Sequence, residues 1–187
     1  MKTRHRNVLA RRWRCQAIGS IGAIGLGLLM ASCGGESVTG VQVTVNRVVS
    51  GNTIEVRGTG TEAKRLETVR LLGIEAPDLR QQPWGLQAQE ALTQLVAGQS
   101  LWLEFEAGEA RDRLGRLLAY AWRGDLLVNE RLVFEGRAMP ASRSGWLKYD
   151  RRLFYAQERA RILQLGIWNP QQPMRLRPAE FRRQNPS

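Results

Sequence analysis

The stretch Glu67-Thr68-Val69-Arg70-Leu71-Leu72-Gly73-Ile74-Glu75-Ala76-Pro77-Asp78 decides the fold of this chain. Residues Glu67–Ile74 are typical of a strand, and Pro77 ends it because proline cannot donate a hydrogen bond to a neighbouring strand. Apolar residues at helical spacing follow within Trp84–Ala97, and Gly98 closes that pattern. The chain therefore passes from a strand directly into a helix at this point.

Alternating apolar residues on both sides of this stretch predict four more short strands. Val41–Arg57 alternates with a period of two around a turn at Ser50-Gly51-Asn52, which predicts a hairpin. Apolar runs at Leu101–Phe105 and Leu117–Trp122 predict the fourth and fifth strands. Together with Glu67–Ile74, these runs make five strands with a helix inserted after the third.

Two further helices are predicted over Leu127–Glu135 and Asp150–Leu165. Short strands in this order are typical of a Greek-key barrel of the OB type. We therefore predict a mainly β, α+β domain over residues 41–169, with a five-stranded barrel capped by three helices. Residues 170–187 are rich in proline and arginine and predict an extended tail, either loosely ordered or used as a binding arm.

Two arginines stand in short phrases that join cations to carboxylates. Arg70 precedes Glu75 and Asp78, and Arg116 ends the phrase Arg111-Asp112-Arg113-Leu114-Gly115-Arg116. An arginine grips phosphate oxygens with two parallel N–H groups and keeps its charge. Carboxylates hold a hard cation or accept a proton from water. This combination is what hydrolysis of a phosphodiester with a hard metal ion requires.

The N-terminal residues have the pattern of a bacterial export signal. An apolar run over Ala17–Met30 follows a basic stretch, and small residues come after it. Met30-Ala31-Ser32-Cys33 resembles a lipobox, in which cleavage leaves Cys33 as a lipidated N-terminus. We expect a signal peptide at 1–32, a tether at 33–40, and a lipoprotein on the periplasmic or outer face of the envelope. Ordinary signal cleavage and an uncleaved anchor are the alternatives.

Processing at Cys33 would remove whole classes of catalytic chemistry. The only histidine, His5, and the other cysteine, Cys15, both precede the cleavage point. The mature chain would then lack histidine, and its one cysteine would be blocked by lipid. This excludes histidine general bases, cysteine nucleophiles, thiol-ligated zinc and internal disulfides.

The basic charge of the chain is concentrated in the predicted signal. Residues 1–32 hold six basic residues and no acidic one, so the formal charge of +11 falls to +5 without them. A surplus of +5 suits the binding of a polyanion, but it is also common on ordinary bacterial surfaces.

Five phrases, in order along the chain, resemble the staphylococcal nuclease (thermonuclease) family. They are Ser50-Gly51-Asn52-Thr53, Val69–Asp78, Asp112–Tyr120, Val128-Asn129-Glu130 and Leu165-Gly166-Ile167-Trp168. The resemblance extends over residues 41–169. It implies an OB-fold enzyme that depends on Ca²⁺ and cleaves DNA and RNA with little sequence preference.

The resemblance also implies roles for individual residues. Arg70 and Arg116 would hold the scissile phosphate and its transition state, and Arg113 would add a contact to substrate phosphate. Asp78 falls at the position of the general base. The implied metal ligands are Asn52, Glu75 and the backbone carbonyl of Ala76.

Four of these positions depart from the family pattern. Glu75 is one methylene longer than the family's aspartate, and Asp78 is one methylene shorter than its glutamate. Asn52 offers a neutral oxygen where the family has a charged one, which predicts weaker metal binding. Ala76 replaces a threonine but keeps the backbone carbonyl, so little is lost there.

The base-stacking tyrosines of the family have no clear match. Leu114 stands where one of them is expected. Trp146 and Tyr149 are the candidates for stacking on a base instead.

Three hypotheses remain open from the sequence. The first is an envelope-tethered nuclease, and the second is a non-catalytic OB module that binds nucleic acid. The third is an envelope interaction protein, in which Arg70 pairs with Glu75 or Glu67 and Arg116 pairs with Asp112. The expected partners are DNA or RNA and, through the lipid, a membrane. No protein partner is evident and a monomer is expected.

Overall fold

The computed structural model describes residues 40–58, 65–108, 110–142 and 147–186. The predicted signal peptide, the lipidation site Cys33, nearly all of the tether, and Trp146 lie outside the described residues. None of the helices in the described part of the chain combines the length and apolarity needed to cross a membrane.

Five strands close into a barrel, as the sequence predicted. The barrel strands are β1 (Gly40–Ser50), β2 (Thr53–Arg57), β3 (Leu66–Leu71), β5 (Ser100–Glu104) and β6 (Leu117–Arg123). The antiparallel order is β3-β2-β1-β5-β6, and β3 then pairs with β6 in parallel to close the sheet. The long β1 pairs with β5 through its first half and with β2 through its second half, with register shifts after Val45 and Val48 that bend it.

The parallel β3–β6 pairing determines where functional side chains meet. In this pairing Arg70 lies opposite Leu118, and Arg116 directly precedes the first residue of β6. Two arginines far apart in sequence therefore emerge at the same edge of the barrel.

Within the described residues, four α-helices and two short strand pairs complete the domain. The helices are α1 (Trp84–Val96), α2 (Val128–Phe134), α3 (Asp150–Ile162) and α4 (Pro178–Gln184), with a 3₁₀ turn at Gly166–Trp168. The short strands are β4 (Ile74–Glu75), which pairs with β8 (Met139–Pro140), and β7 (Leu126–Leu127), which pairs with β6. The α+β fold with an OB-type barrel is thus confirmed.

Alternate residues of the barrel strands form the core. The inward side chains include Val43, Ile54, Val56, Val69, Leu71, Leu101 and Leu103, all essentially buried. Asn129 of α2 is fully buried, and its amide accepts a hydrogen bond from Ala121 N at 3.0 Å and donates one to Leu72 O at 2.8 Å. These two bonds hold α2 against the barrel beside the end of β3.

The described structure corrects two expectations. The predicted third strand is two strands, β3 and β4, because Leu72-Gly73 makes a turn in which Gly73 has φ of +76°. The tail at residues 170–187 is not simply extended, since it contains α4, which makes four helices rather than three. Pro178 begins α4 with the φ that a helix requires, and seven residues are too few for helical periodicity to be visible.

Candidate active site

Five of the predicted site residues surround one surface pocket at the edge of the barrel. They are Asn52, Arg70, Ala76, Asp78 and Arg116. They come from the β1–β2 turn, from β3, from the loop after β4, and from the turn before β6. Four segments that are separate along the chain therefore meet at one place.

The β1–β2 turn is packed tightly against the rest of the site. A Cβ atom on Gly51 would lie 2.5 Å from Ala88 Cβ and 2.8 Å from Ala76 Cβ, so only glycine fits there. Asn52 is 4% exposed, and its Nδ2 donates to Ile74 O at 3.2 Å. The Asn52 side chain is thus fixed against β4, while its Oδ1 has one weak partner, Ser50 Oγ, at 3.4 Å.

Arg70 places a positive charge at the pocket. Its side chain is partly buried, and no carboxylate of the described residues forms an ion pair with it. Burial lowers the pKa of the Arg70 guanidinium, and the charges of Arg116 and Arg182 lower it further, while the carboxylates of Glu75 and Asp112 act in the opposite direction. A guanidinium kept charged in such surroundings is suited to bind an anion.

The pairing of Arg70 that a structural role predicts is not observed. Glu67 instead pairs with Arg111 at 3.0 Å and with Arg65 at 3.4 Å. Glu75 lies 3.6 Å from Arg182, measured between Oε1 and Nη2. Arg70 therefore faces the pocket without an ion pair to either of these two carboxylates, although the charge of Glu75 still acts on it.

Arg116, in contrast, is held by Asp112. The Asp112 carboxylate accepts hydrogen bonds from Arg116 Nε at 2.7 Å, from Arg116 N at 3.0 Å and from Leu114 N at 3.0 Å. These bonds, with Gly115 at φ of +76°, shape the turn before β6. The pair that the structural hypothesis predicted for Arg116 is present, and it also orients the guanidinium toward the pocket.

The carboxylate at the predicted general-base position is engaged by a neighbour. Asp78 Oδ1 accepts from both Arg80 N and Arg80 Nε at 3.0 Å, and Oδ2 accepts from Arg80 Nη2 at 3.3 Å. These hydrogen bonds from Arg80 hold the pKa of Asp78 below its usual value. Asp78 is therefore ionised at neutral pH and is about one-fifth exposed to solvent.

Comparison with known proteins identifies the family to which this domain belongs. The family model for staphylococcal nuclease homologues matches residues 68–170. Over 130 residues the chain is 33% identical to a thermonuclease of Staphylococcus hyicus, a match that covers 67% of this chain and 74% of that protein. The chain belongs to the staphylococcal nuclease family.

The chain is also similar to two proteins from Bacillus subtilis (strain 168). The SPbeta prophage-derived endonuclease YokF is 36% identical over 135 residues, covering 69% of this chain and 44% of that protein. The endonuclease YncB is 34% identical over 135 residues, covering 69% of this chain and 62% of that protein. The resemblance drawn from the five sequence phrases is thereby confirmed.

Some predicted residues of this staphylococcal nuclease homologue do not line the pocket. Arg113 is exposed on the turn before β6, and Glu75 faces Arg182. Leu114, at the expected stacking position, does border the pocket and is 77% exposed.

Tyr149 belongs to a separate cluster. Its hydroxyl donates to Glu104 Oε2 at 2.8 Å, and its ring packs edge-on against Tyr120 with centroids 4.6 Å apart. Because its hydroxyl and its ring are both engaged by these contacts, Tyr149 is not well placed to stack on a base.

The predicted donors, of which all but Glu75 line the pocket, suit a hard cation in kind but are low in charge. Asn52 Oδ1, the Ala76 carbonyl and the carboxylates of Glu75 and Asp78 are all oxygens, the ligands that Ca²⁺ prefers. Each of the two carboxylates also faces an arginine. In the part of the chain that the structure describes, no three His, Cys, Asp or Glu side chains form a metal-binding group.

Arg182 is a charged residue of the pocket that the sequence did not predict. It comes from α4, which lies beyond the region matched by the family model. The sequence shows several arginines in the tail, but no local sequence pattern indicates which of them lies at the pocket.

Proposed function

We propose that this protein is a nuclease that hydrolyses phosphodiester bonds of DNA or RNA, with little sequence preference, at the pocket of Arg70 and Arg116. The observation that carries the proposal is the partly buried Arg70, which lies near Arg116 and forms no ion pair with a described carboxylate. Family membership and relatives named thermonuclease and endonuclease support the same chemistry.

The two guanidiniums bind and stabilise the reacting phosphate. Each can donate parallel N–H groups to phosphate oxygens, and neither can lose its charge at neutral pH. Negative charge on the equatorial oxygens grows as water attacks phosphorus, so preorganised cations lower the barrier. The Asp112 carboxylate fixes Arg116 before substrate arrives, which reduces the loss of side-chain freedom on binding.

Asp78 is the group that accepts a proton from the attacking water or holds that water in line. It borders the same pocket as both arginines, and its low pKa keeps it ionised. The low pKa also makes it a weak base, so its contribution depends on orientation more than on basicity. Arg80 must share or release the carboxylate for this role.

The reaction is proposed to require Ca²⁺. Asn52 Oδ1, the Glu75 carboxylate and the Ala76 carbonyl would hold the ion, which fits the all-oxygen donor set. When bound, it supplies Lewis-acid polarisation of a phosphoryl oxygen. The neutral Asn52 and the Glu75–Arg182 contact predict modest affinity.

A second candidate function is binding of nucleic acid without cleavage. The observation that favours it is that Arg80 engages Asp78 and Arg182 faces Glu75, the carboxylates predicted as the general base and as a metal ligand. In that case the arginines would still bind the phosphate backbone, with strong salt dependence.

A digestion assay tests the proposed function and separates it from the second candidate. Labelled single-stranded DNA, duplex DNA and RNA are incubated with the protein in millimolar Ca²⁺ or in chelator. We expect Ca²⁺-dependent cleavage, reduced about 10²–10³-fold or more in Arg116→Ala because one cation at the developing charge is lost. Arg151→Ala removes an exposed arginine of α3 away from the pocket and should cleave like wild type. Retained binding without cleavage in wild type would support the second candidate instead.

The Asp78–Arg80 pair gives a prediction about pH. Arg80→Ala should raise the pKa of Asp78, because the hydrogen bonds from Arg80 are what lower it. Asp78 would then lose its proton only at higher pH, so the acidic limb of the kcat/KM profile should move upward. Above that limb the rate should rise, because a freed and more basic carboxylate accepts a proton better.

The control for this pH profile is Arg80→Lys, which keeps a positive charge near Asp78 and should shift the limb less. A limb that stays in place in Arg80→Ala would show that Asp78 is not the group titrated in the profile.

The envelope location rests on sequence alone. We propose that cleavage before Cys33 and lipidation there tether the domain to the membrane, because residues 1–33 have the order of a lipoprotein signal. The mass of the mature N-terminus in the native host decides between this arrangement, ordinary cleavage and an uncleaved anchor.

A further inference from the structure

We propose that Arg182 of α4 is a third substrate-binding arginine of the pocket, which contacts a phosphate of the nucleic acid next to Arg70 and Arg116. This inference rests on the proposed function, because it assigns part of the same substrate to a residue of the C-terminal segment. The family model ends at residue 170, so α4 is an addition to the matched domain.

Arg182 is placed where an incoming polyanion would meet it. It borders the same pocket as Arg70 and Arg116, and its side chain is 37% exposed. Its charge acts on both predicted catalytic groups, since it contributes to the lowered pKa of Arg70 and, less than Arg80 does, to that of Asp78. The guanidinium is thus close enough to act on the reacting centre and open enough to reach substrate.

The tail that carries Arg182 is held in place by the segment that follows Asp78. Arg80 Nη2 donates to Asn185 O at 2.9 Å, and Gln81 Nε2 donates to Leu176 O at 2.7 Å. Trp84 Nε1 donates to Gln172 O at 3.3 Å. Gln81 is 4% exposed, and its hydrogen bond to Leu176 O is partly buried. The tail is therefore anchored on both sides of α4, which argues against a loosely ordered arm.

The charges around the pocket leave room for an anion. Three guanidiniums border it, while Asp112 engages Arg116 and Asp78 engages Arg80. Among the described carboxylates, only Glu75 forms an ion pair with Arg182, at 3.6 Å, which is longer than a good hydrogen bond. Most of the Arg182 donors therefore remain available to phosphate oxygens, and no carboxylate of the described residues forms an ion pair with Arg70.

A simpler role for Arg182 makes the opposite prediction. If it served only to neutralise Glu75, removing it would free that carboxylate for a metal ion and would raise activity. If it binds phosphate, removing it would weaken substrate binding and lower activity. The sign of the effect separates the two roles.

The experiment compares Arg182→Ala with Arg183→Ala in the full chain. Arg183 is the adjacent residue of α4, is exposed, and does not border the pocket, so it matches the charge loss and the helix. Binding of a fluorescent single-stranded oligodeoxynucleotide is measured in chelator over a range of salt concentrations. Cleavage of the same oligonucleotide is then measured in Ca²⁺, and the melting temperature of each variant checks folding.

We expect Arg182→Ala to bind about tenfold more weakly than wild type, as for loss of a charged hydrogen-bonded contact. The slope of log K against log salt should fall by about 0.7, which corresponds to one phosphate contact on a single strand. Arg183→Ala should keep the wild-type slope, and Arg182→Lys should recover part of the affinity.

Two results would overturn the inference while leaving nuclease activity intact: Arg182→Ala binding like Arg183→Ala, or Arg182→Ala cleaving faster than wild type. A wild-type protein that binds but never cleaves would overturn the proposed function alone, because the Arg182 effect is still read from binding. A wild-type protein that does not bind the oligonucleotide at all would overturn both.

Discussion

Arg70→Ala is expected to lower kcat/KM for oligonucleotide cleavage by at least about 10²–10³-fold, because it removes a preorganised cation from the developing phosphate charge. The same substitution should leave the melting temperature unchanged or raise it. Arg70 is partly buried, has no described carboxylate partner, and is near the like charges of Arg116 and Arg182. Its removal relieves desolvation and repulsion, so function and stability should move in opposite directions.

Arg116→Ala and Arg57→Ala are the two comparisons for this result. Arg116→Ala should lose cleavage to a similar degree but also lose up to about 1 kcal/mol of stability, because Asp112 is left without its partner. Arg57 is exposed at the end of β2, and its removal should affect neither quantity. The measurements are steady-state cleavage rates and thermal unfolding of the same preparations. A marked fall in the melting temperature of Arg70→Ala would show that Arg70 supports the fold rather than the reaction.

Asn52→Asp is expected to make the stability of the protein depend strongly on Ca²⁺. In chelator, the new carboxylate would be buried and would face Ile74 O, to which Asn52 Nδ2 now donates. Loss of that bond and burial of charge should destabilise the fold by about 1–3 kcal/mol. With Ca²⁺, the added negative charge should tighten ion binding, and each tenfold gain in affinity adds about 1.4 kcal/mol at saturating ion.

The measurement for Asn52→Asp is the melting temperature in chelator and across a Ca²⁺ titration, which needs no activity. We expect a lower value than wild type in chelator and a larger rise with Ca²⁺. Asn52→Ala is the control, since it loses the bond to Ile74 O without gaining charge and should show no larger response to Ca²⁺ than wild type. An Asn52→Asp variant whose response to Ca²⁺ matches wild type would show that residue 52 is not a ligand.

Local patterns were enough to predict most of the barrel and its first helix. Alternation in Val41–Arg57 predicted the β1–β2 hairpin because inward and outward side chains of a strand alternate whatever it pairs with. The break at Pro77 and the helical spacing of apolar residues after it predicted α1, which is also a local pattern. The tail helix α4 was missed because seven residues carry too little periodicity, and because contacts from Arg80 and Gln81 hold it in place.

The sequence by itself determined the five barrel strands, the order of the helices through α3, and the kinds of side chain at the candidate site. Only the tertiary structure decided which charges meet. Arg70 and Arg116 converge because β3 and β6 pair in parallel, and Glu75 faces Arg182 because α4 returns to the pocket. Strand alternation is a property of neighbouring residues and is visible in sequence. Ion pairing across the barrel depends on distances between residues far apart along the chain, which folding alone sets.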